Sequence, residues 1–160
     1  MISLNKVTKT YPGDFKALNK VSLHIEKEEF VFISGHSGAG KTTLLDLILK
    51  KTDPTSGTLT VNGIRLDELT RRQVYRYRRF IGMVFQDFRL FDDFNVYENV
   101  AIAQRIIEAD AKQIQDRVME ALTLTGVKSK AKLFPGQLSA GEKQKVAIAR
   151  AIVNQPVILL

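Results

Sequence analysis

Gly35-His36-Ser37-Gly38-Ala39-Gly40-Lys41-Thr42 is the stretch that decides how this 160-residue chain is read. It fits G-x-x-x-x-G-K-[ST]. Four consecutive apolar residues, Phe30 to Ile33, precede it; after it, from Thr42 to Lys50, Leu44, Leu45, Ile48 and Leu49 form one helical stripe that ends before Asp53-Pro54. A buried strand, a glycine-rich turn and a helix start, in that order, make a cradle for anions. Glycines let backbone N–H groups turn toward bound phosphates, and the helix dipole adds to the attraction. Lys41 is placed to reach the β and γ phosphates, and Thr42 to offer its hydroxyl to the Mg²⁺ that neutralises them. His36 fills a free position and reads as a solvent-side loop residue. A glycine-rich turn that merely precedes a helix is the bland alternative, and chance alone produces the four fixed positions with a probability of roughly 1% in a chain of this size.

Around that stretch the composition is that of one globular domain, 44% hydrophobic and 26% charged. There is no cysteine, so no disulfide framework, thiol nucleophile or thiolate metal site exists, and two histidines alone do not make a structural zinc site. No window approaches the roughly 18 apolar residues of a membrane span, and Met1 is followed by polar Ser3, Asn5 and Lys6 rather than a signal-peptide core. A cytoplasmic location is therefore expected. The net charge of +7 favours polyanionic partners: phosphates, nucleic acid or a membrane surface.

Outward from the loop, the chain reads as strands first and helices later. Ile2 to Val7 and Val21 to Ile25 alternate as half-buried strands do, whereas Phe30 to Ile33 is expected to run buried on both faces, as in a parallel sheet. Asn62-Gly63 predicts a tight hairpin within Leu59 to Leu66. Ile81 to Phe85 reads as a second buried strand. Helices are predicted over Val96 to Glu108, over Ala111 to Leu124 with Gly126 as C-cap, and over Ser139 to Val153. Arg71, Arg72, Arg76, Arg78 and Arg79 crowd one side of a further helix, with Val74, Tyr77 and Phe80 opposite. After Pro156 the run Val157 to Leu160 reads as the opening of another buried strand, and a chain that stops there is expected to be a fragment.

Three further features narrow the kind of nucleotide machine. Tyr11, in Thr10-Tyr11-Pro12-Gly13, offers an aromatic face for a purine. Gln86 follows the strand Ile81 to Phe85, at the end where α/β sheets place ligands. Leu138-Ser139-Ala140-Gly141-Glu142 opens the last helix. Each has a bland reading: a surface aromatic, a polar strand terminus and an S-x-x-E capping box.

Taken in order, these features resemble the nucleotide-binding domain of ABC ATPases over the whole length of the chain. Tyr11 matches the adenine-stacking aromatic, Gly35 to Thr43 the Walker A loop, Gln86 the Q-loop glutamine and Leu138 to Glu142 the signature motif. Ala140 stands where many signatures have Gly, and Glu142 where many have Gln. The resemblance implies an α/β P-loop NTPase with an N-terminal antiparallel β part and a helical subdomain, truncated at the Walker B strand. Residues 1–87 would form the ATP-binding core, 88–137 the helical subdomain, and 138–160 the signature helix and the start of Walker B.

ATP and Mg²⁺ are the implied ligands. Gly35, His36, Ser37, Gly38, Ala39, Gly40, Lys41, Thr42 and Thr43 would surround the phosphates, and Thr42 and Gln86 the metal. Lys41 and Gln86 carry the catalytic roles within these residues, while the catalytic Glu and the Mg²⁺-anchoring Asp are expected beyond Leu160. The chain alone is accordingly expected to bind phosphates without hydrolysing ATP. In the family two copies close head to tail on ATP, so that Ser139, Ala140, Gly141 and Glu142 of one face the γ phosphate held by the other. The words Val84 to Leu90 and Val146 to Asn154 are most like the cell-division branch, which implies an integral membrane partner of the mechanotransmitting class. Closely similar cassettes serve lipoprotein and macrolide exporters. The location implied is the cytoplasmic face of a bacterial inner membrane.

Two other functions compete with this motor: a nucleotide-gated binding module without hydrolysis, and a nucleic-acid-associated ATPase using the positive charge. No recognition motif for nucleic acid is present, so no specific nucleic-acid partner is expected. The basic helix reads as a solvated outer face, with an anionic membrane surface as the alternative.

Overall fold

Alternating apolar residues in the first ten positions bring the chain into β1 (Ile2–Tyr11), which pairs on one edge with β2 (Phe15–Ile25) and on the other with β3 (Ser56–Val61), both antiparallel. β4 (Ile64–Arg65) completes the order β2-β1-β3-β4. Ile2, Leu4 and Val7 are all buried although Leu4 and Val7 are three residues apart. A strict period of two would put them on opposite faces; a register shift between them, with Lys6 at φ 49°, restores Val7 to the inner one. The computed structural model describes Met1–Leu160 and divides it into two units, Met1–Tyr75 and Arg76–Leu160.

In the first unit α1 (Lys41–Ile48) buries Leu44, Leu47 and Ile48, close to the helix expected over 42–50. The hairpin forms where Asn62 and Gly63 allow it: φ is 48° and 77° at the two central residues, as the tight turn requires. Phe30 to Ile33 departs from expectation. It pairs with no strand, and Phe30 and Phe32 are 82% and 84% exposed, their rings meeting edge to face at 4.9 Å. Burial on both faces of a parallel sheet requires neighbouring parallel strands, and the sheet of this unit, β2-β1-β3-β4, is antiparallel and does not include the segment.

The second unit is helical. α3 (Val96–Arg105), α4 (Ala111–Leu124) and α5 (Ala140–Ile152) share a core of Val96, Val100, Val118, Leu122, Val146 and Ala149. Asn95 and Glu98 form a capping box that starts α3. Gly126, at φ 72°, ends α4 as expected, with the Val127 amide donating back to the Leu122 carbonyl at 2.9 Å. The strand expected over 81–85 is laddered only as β5 (Ile81–Gly82), parallel to β6 (Ile158–Leu159). The Val84 amide, donating to the Leu160 carbonyl at 2.9 Å, extends that pairing, and Phe85 turns out of it. The close approach of α5 explains Gly82: a Cβ there would stand 2.5 Å from the Ala151 carbonyl oxygen.

The basic helix exists as α2 (Arg71–Arg78). Tyr77 is buried as expected, but Phe80 is 51% exposed, because the helix ends before it and it no longer belongs to the inner stripe.

Candidate functional site

The loop before α1 has the shape its residues predict. Gly38 and Gly40 take left-handed φ of 80° and 87°, and Gly40 is the N-cap residue of α1. Two of these glycines answer different demands. Gly38 has open space around its missing Cβ, whereas a Cβ on Gly40 would lie 2.3 Å from the Ala17 carbonyl oxygen and 2.9 Å from Leu18 Cδ2. The loop therefore rests directly on β2. The Lys41 ammonium is folded over it, donating to the Gly35 carbonyl at 2.6 Å and the His36 carbonyl at 2.9 Å. Thr42 is exposed at the first turn of α1, and Thr43 is half-buried. Tyr11 lies at the end of β1, 36% exposed, with the Lys9 ammonium 5.2 Å from its ring centroid.

The remaining expected residues lie in the second unit. Gln86 is exposed in the turn that follows β5, where Phe88 donates its amide to the Phe85 carbonyl at 3.1 Å. Ser139 caps α5 in a reciprocal box: its amide and hydroxyl donate to the Glu142 carboxylate at 2.8 and 3.0 Å, and the Glu142 amide donates back to Ser139 Oγ at 3.3 Å. Ala140 and Gly141 form the exposed first turn. The capping box expected of S-x-x-E is thus present: it turns the Ser139 hydroxyl toward the Glu142 carboxylate at the exposed N-terminus of α5.

That box is pH-dependent. The Glu142 carboxyl is held below the usual carboxylate range, first by the Ser139 amide and then by the Ser139 hydroxyl. A carboxyl with a lower pKa in the folded than in the unfolded chain stabilises the fold above the unfolded pKa, and loses that contribution as pH falls through the folded value. As pH falls below the usual carboxylate range the first turn of α5 is expected to fray. Amide NMR of residues 139–143 checks this, and in Glu142→Gln the turn should show no such acid transition.

Sequence reasoning missed three side chains that organise this unit. Asn99, fully buried on α3, accepts from the Phe91 amide at 2.8 Å and donates to the carbonyls of Phe91, Phe94 and Asn95 at 2.9 to 3.1 Å. Gln104 donates to the Val153 carbonyl at 3.0 Å and to Asn154 Oδ1 at 2.6 Å, joining the ends of α3 and α5. Arg150 reaches from α5 to the carbonyls of Phe88 and Arg89. The readable signal for the first two was a polar residue on an apolar helical stripe.

Residues 18–160 match the family described as ABC transporter. The chain belongs to the ABC transporter family. Its relatives include the methionine import ATP-binding protein MetN of Helicobacter hepaticus, 47% identical over the whole chain, and the cell division ATP-binding protein FtsE of Escherichia coli K12 and of Bacillus subtilis, 47% and 44% identical. The chain spans 46% of the length of that MetN and 72% and 70% of the two FtsE proteins. Among solved structures, the ATP-binding cassette MJ0796 in a dimeric post-hydrolysis state bound to ADP and Pi superposes with a TM-score of 0.88 at 37% identity, over 99% of this chain and 72% of that one. For cbiO1 of Clostridium perfringens the TM-score is 0.91 at 29% identity, over 99% and 63%. The fold of this ABC family chain is accordingly the P-loop NTPase cassette, with N-terminal antiparallel strands followed by helices.

Proposed function

We propose that the chain is the ATP-binding part of an ABC-type ATPase subunit that drives a membrane protein. The observation that carries this reading is the loop itself: left-handed glycines, the N-terminus of α1 and the Lys41 ammonium lie together in the first unit. ATP suits that cradle. Lys41 holds the β and γ phosphates, the amides of residues 38–42 bind their oxygens, and Tyr11 stacks on the adenine. The Thr42 hydroxyl and the Gln86 carboxamide are the groups that would hold Mg²⁺ beside the nucleotide. When bound, the metal neutralises the phosphate charge.

Dimer closure supplies the rest. The Ser139 hydroxyl and Gly141 amide, at the outward N-terminus of α5, complement the γ phosphate bound by a second copy. The loop 87–94, beside Gln86, suits contact with the membrane partner, because Phe91 is 49% exposed beside Phe94, with ring centroids 5.3 Å apart. An FtsX-like partner in bacterial cell division, at the cytoplasmic face of the inner membrane, is the finer reading; FtsE relatives at 41% to 47% identity support it. An import subunit is the second reading, favoured by the 47% identity to MetN. No helix is long and apolar enough to cross a membrane, and α2, with four arginines and no acidic residue, suits an anionic lipid surface.

Titration with a fluorescent ATP analogue tests the proposal. The wild-type chain should saturate, and Lys41→Ala should bind roughly 10- to 100-fold more weakly, the value of a charge-assisted hydrogen-bond set. Equal affinity in the two would place the nucleotide elsewhere, and no uptake by the wild type would end the reading.

A further inference from the structure

We propose that Arg150 is a positioning residue for Gln86, pinning the backbone just beyond that glutamine and so fixing where its carboxamide stands. The proposal rests on the nucleotide-binding reading for its functional part alone; the anchoring is a matter of geometry. Arg150 Nη1 donates to the Arg89 carbonyl and Nη2 to the Phe88 carbonyl, each at 2.6 Å, so the planar fork grips two adjacent peptide groups. Those two residues are the only consecutive non-glycine pair in the chain with positive φ, 58° at Phe88 and 48° at Arg89. Left-handed backbone at two bulky residues in a row is unfavourable and persists only where surroundings impose it.

The surroundings are few. Within the turn, the Phe88 amide donates to Phe85 and the Arg89 amide to the Asp87 carbonyl at 2.6 Å. The Arg89 side chain turns back, pairing with Asp87 at 3.2 Å and lying 4.2 Å over the Phe85 ring. None of these reaches outside the turn. Arg150 does. It is half-buried, and no carboxylate pairs with it: the two carbonyls are its hydrogen-bond partners. A guanidinium drawn out of water without a counter-ion is costly to keep unless its hydrogen bonds serve the fold or the site. At the other end of the loop the buried Asn99 holds Phe91 and Phe94 on α3, so the segment after Gln86 has one anchor on each helix.

Arg150 sits 11 residues along α5 from Ser139, about 16 Å on one continuous helix. The capped N-terminus proposed to meet a phosphate and the anchor of the Gln86 loop are thereby parts of one rigid rod. A shift of that rod reaches Gln86 through the Arg150 fork, and a shift of the loop reaches the helix the same way.

Amide hydrogen exchange on the chain as wild type, Arg150→Met and Arg150→Lys tests the anchor without nucleotide. The Phe88 and Arg89 amides should exchange at least 10-fold faster in Arg150→Met. Arg150→Lys should recover only part of the protection, since one ammonium cannot fork. The Phe91 amide, held by Asn99, should not change. Unchanged exchange at Phe88 and Arg89, or an equal acceleration throughout α3, α4 and α5, would overturn the anchor in favour of a general packing role. Titrations with fluorescent ATP, with and without Mg²⁺, then test the positioning. Arg150→Met should lose the same part of the Mg²⁺-dependent gain in affinity as Gln86→Ala, with Mg²⁺-free affinity kept. A full Mg²⁺ gain in Arg150→Met refutes the positioning role. A wild type that takes up no nucleotide removes that role together with the proposed function, while the exchange result still decides the anchor.

Discussion

Gly40→Ala is expected to remove nucleotide binding and to destabilise the first unit by about 2 to 5 kcal/mol. Two costs add. The residue is at φ 87°, where an alanine is strained by about 1 to 2 kcal/mol, and the new Cβ meets the Ala17 carbonyl oxygen at 2.3 Å. That neighbour is backbone of β2, at a bulge between residues 16 and 18 that both pair with β1, and it cannot step aside as a flexible side chain would. Relief must come from lifting the loop off the strand, which disperses the amides around Lys41. Gly38→Ala is the matched control: its φ is 80°, but nothing lies within 4 Å of the added carbon, so it should cost only the backbone strain. Urea unfolding and nucleotide titration of the pair decide the matter. If both variants are equally stable, the approach of the loop to β2 is not what Gly40 serves.

The second large effect is expected at Asn99. Asn99→Ala should cost about 2 to 4 kcal/mol in the second unit, because the Phe91 amide and three carbonyls lose a buried partner together. Asn99→Asp separates hydrogen bonding from space filling. The carboxylate has the same shape and still accepts from the Phe91 amide, but it turns an acceptor toward the carbonyls of Phe91, Phe94 and Asn95. At neutral pH it should be at least as damaging as alanine. A mild Asn99→Asp, read from urea midpoints, would mean that the side chain only fills volume.

What the sequence made legible was local. The phosphate loop, the Asn62-Gly63 hairpin, the capping box at Ser139 and the range of α4 all follow from residues within a few positions of one another, where turn chemistry and helical period act directly. Phe30 to Ile33 shows the limit of that logic. Four apolar residues specify a wish for burial on both sides, but pairing is supplied by other strands, and here the segment stands exposed. Arg150 shows the opposite failure. On the helix it is one polar residue after Val146, Ala147 and Ala149, and nothing in the spacing says that its partners are 61 and 62 residues away. Asn99 lay between: a polar residue at an apolar position was visible, its four hydrogen bonds were not.

The exposed Phe30 to Ile33 segment also governs how the chain behaves in a crowded solution. Unladdered backbone flanked by apolar rings is the kind of edge at which molecules add to one another strand by strand. Against that adhesion stands the net charge of +7, which makes identical chains repel before their edges meet. The repulsion fades over a Debye length of about 8 Å at physiological ionic strength, while the apolar attraction does not fade with salt. Colloidal stability of this polypeptide is therefore a contest between one four-residue edge and its positive surface, and added salt shifts it toward the edge.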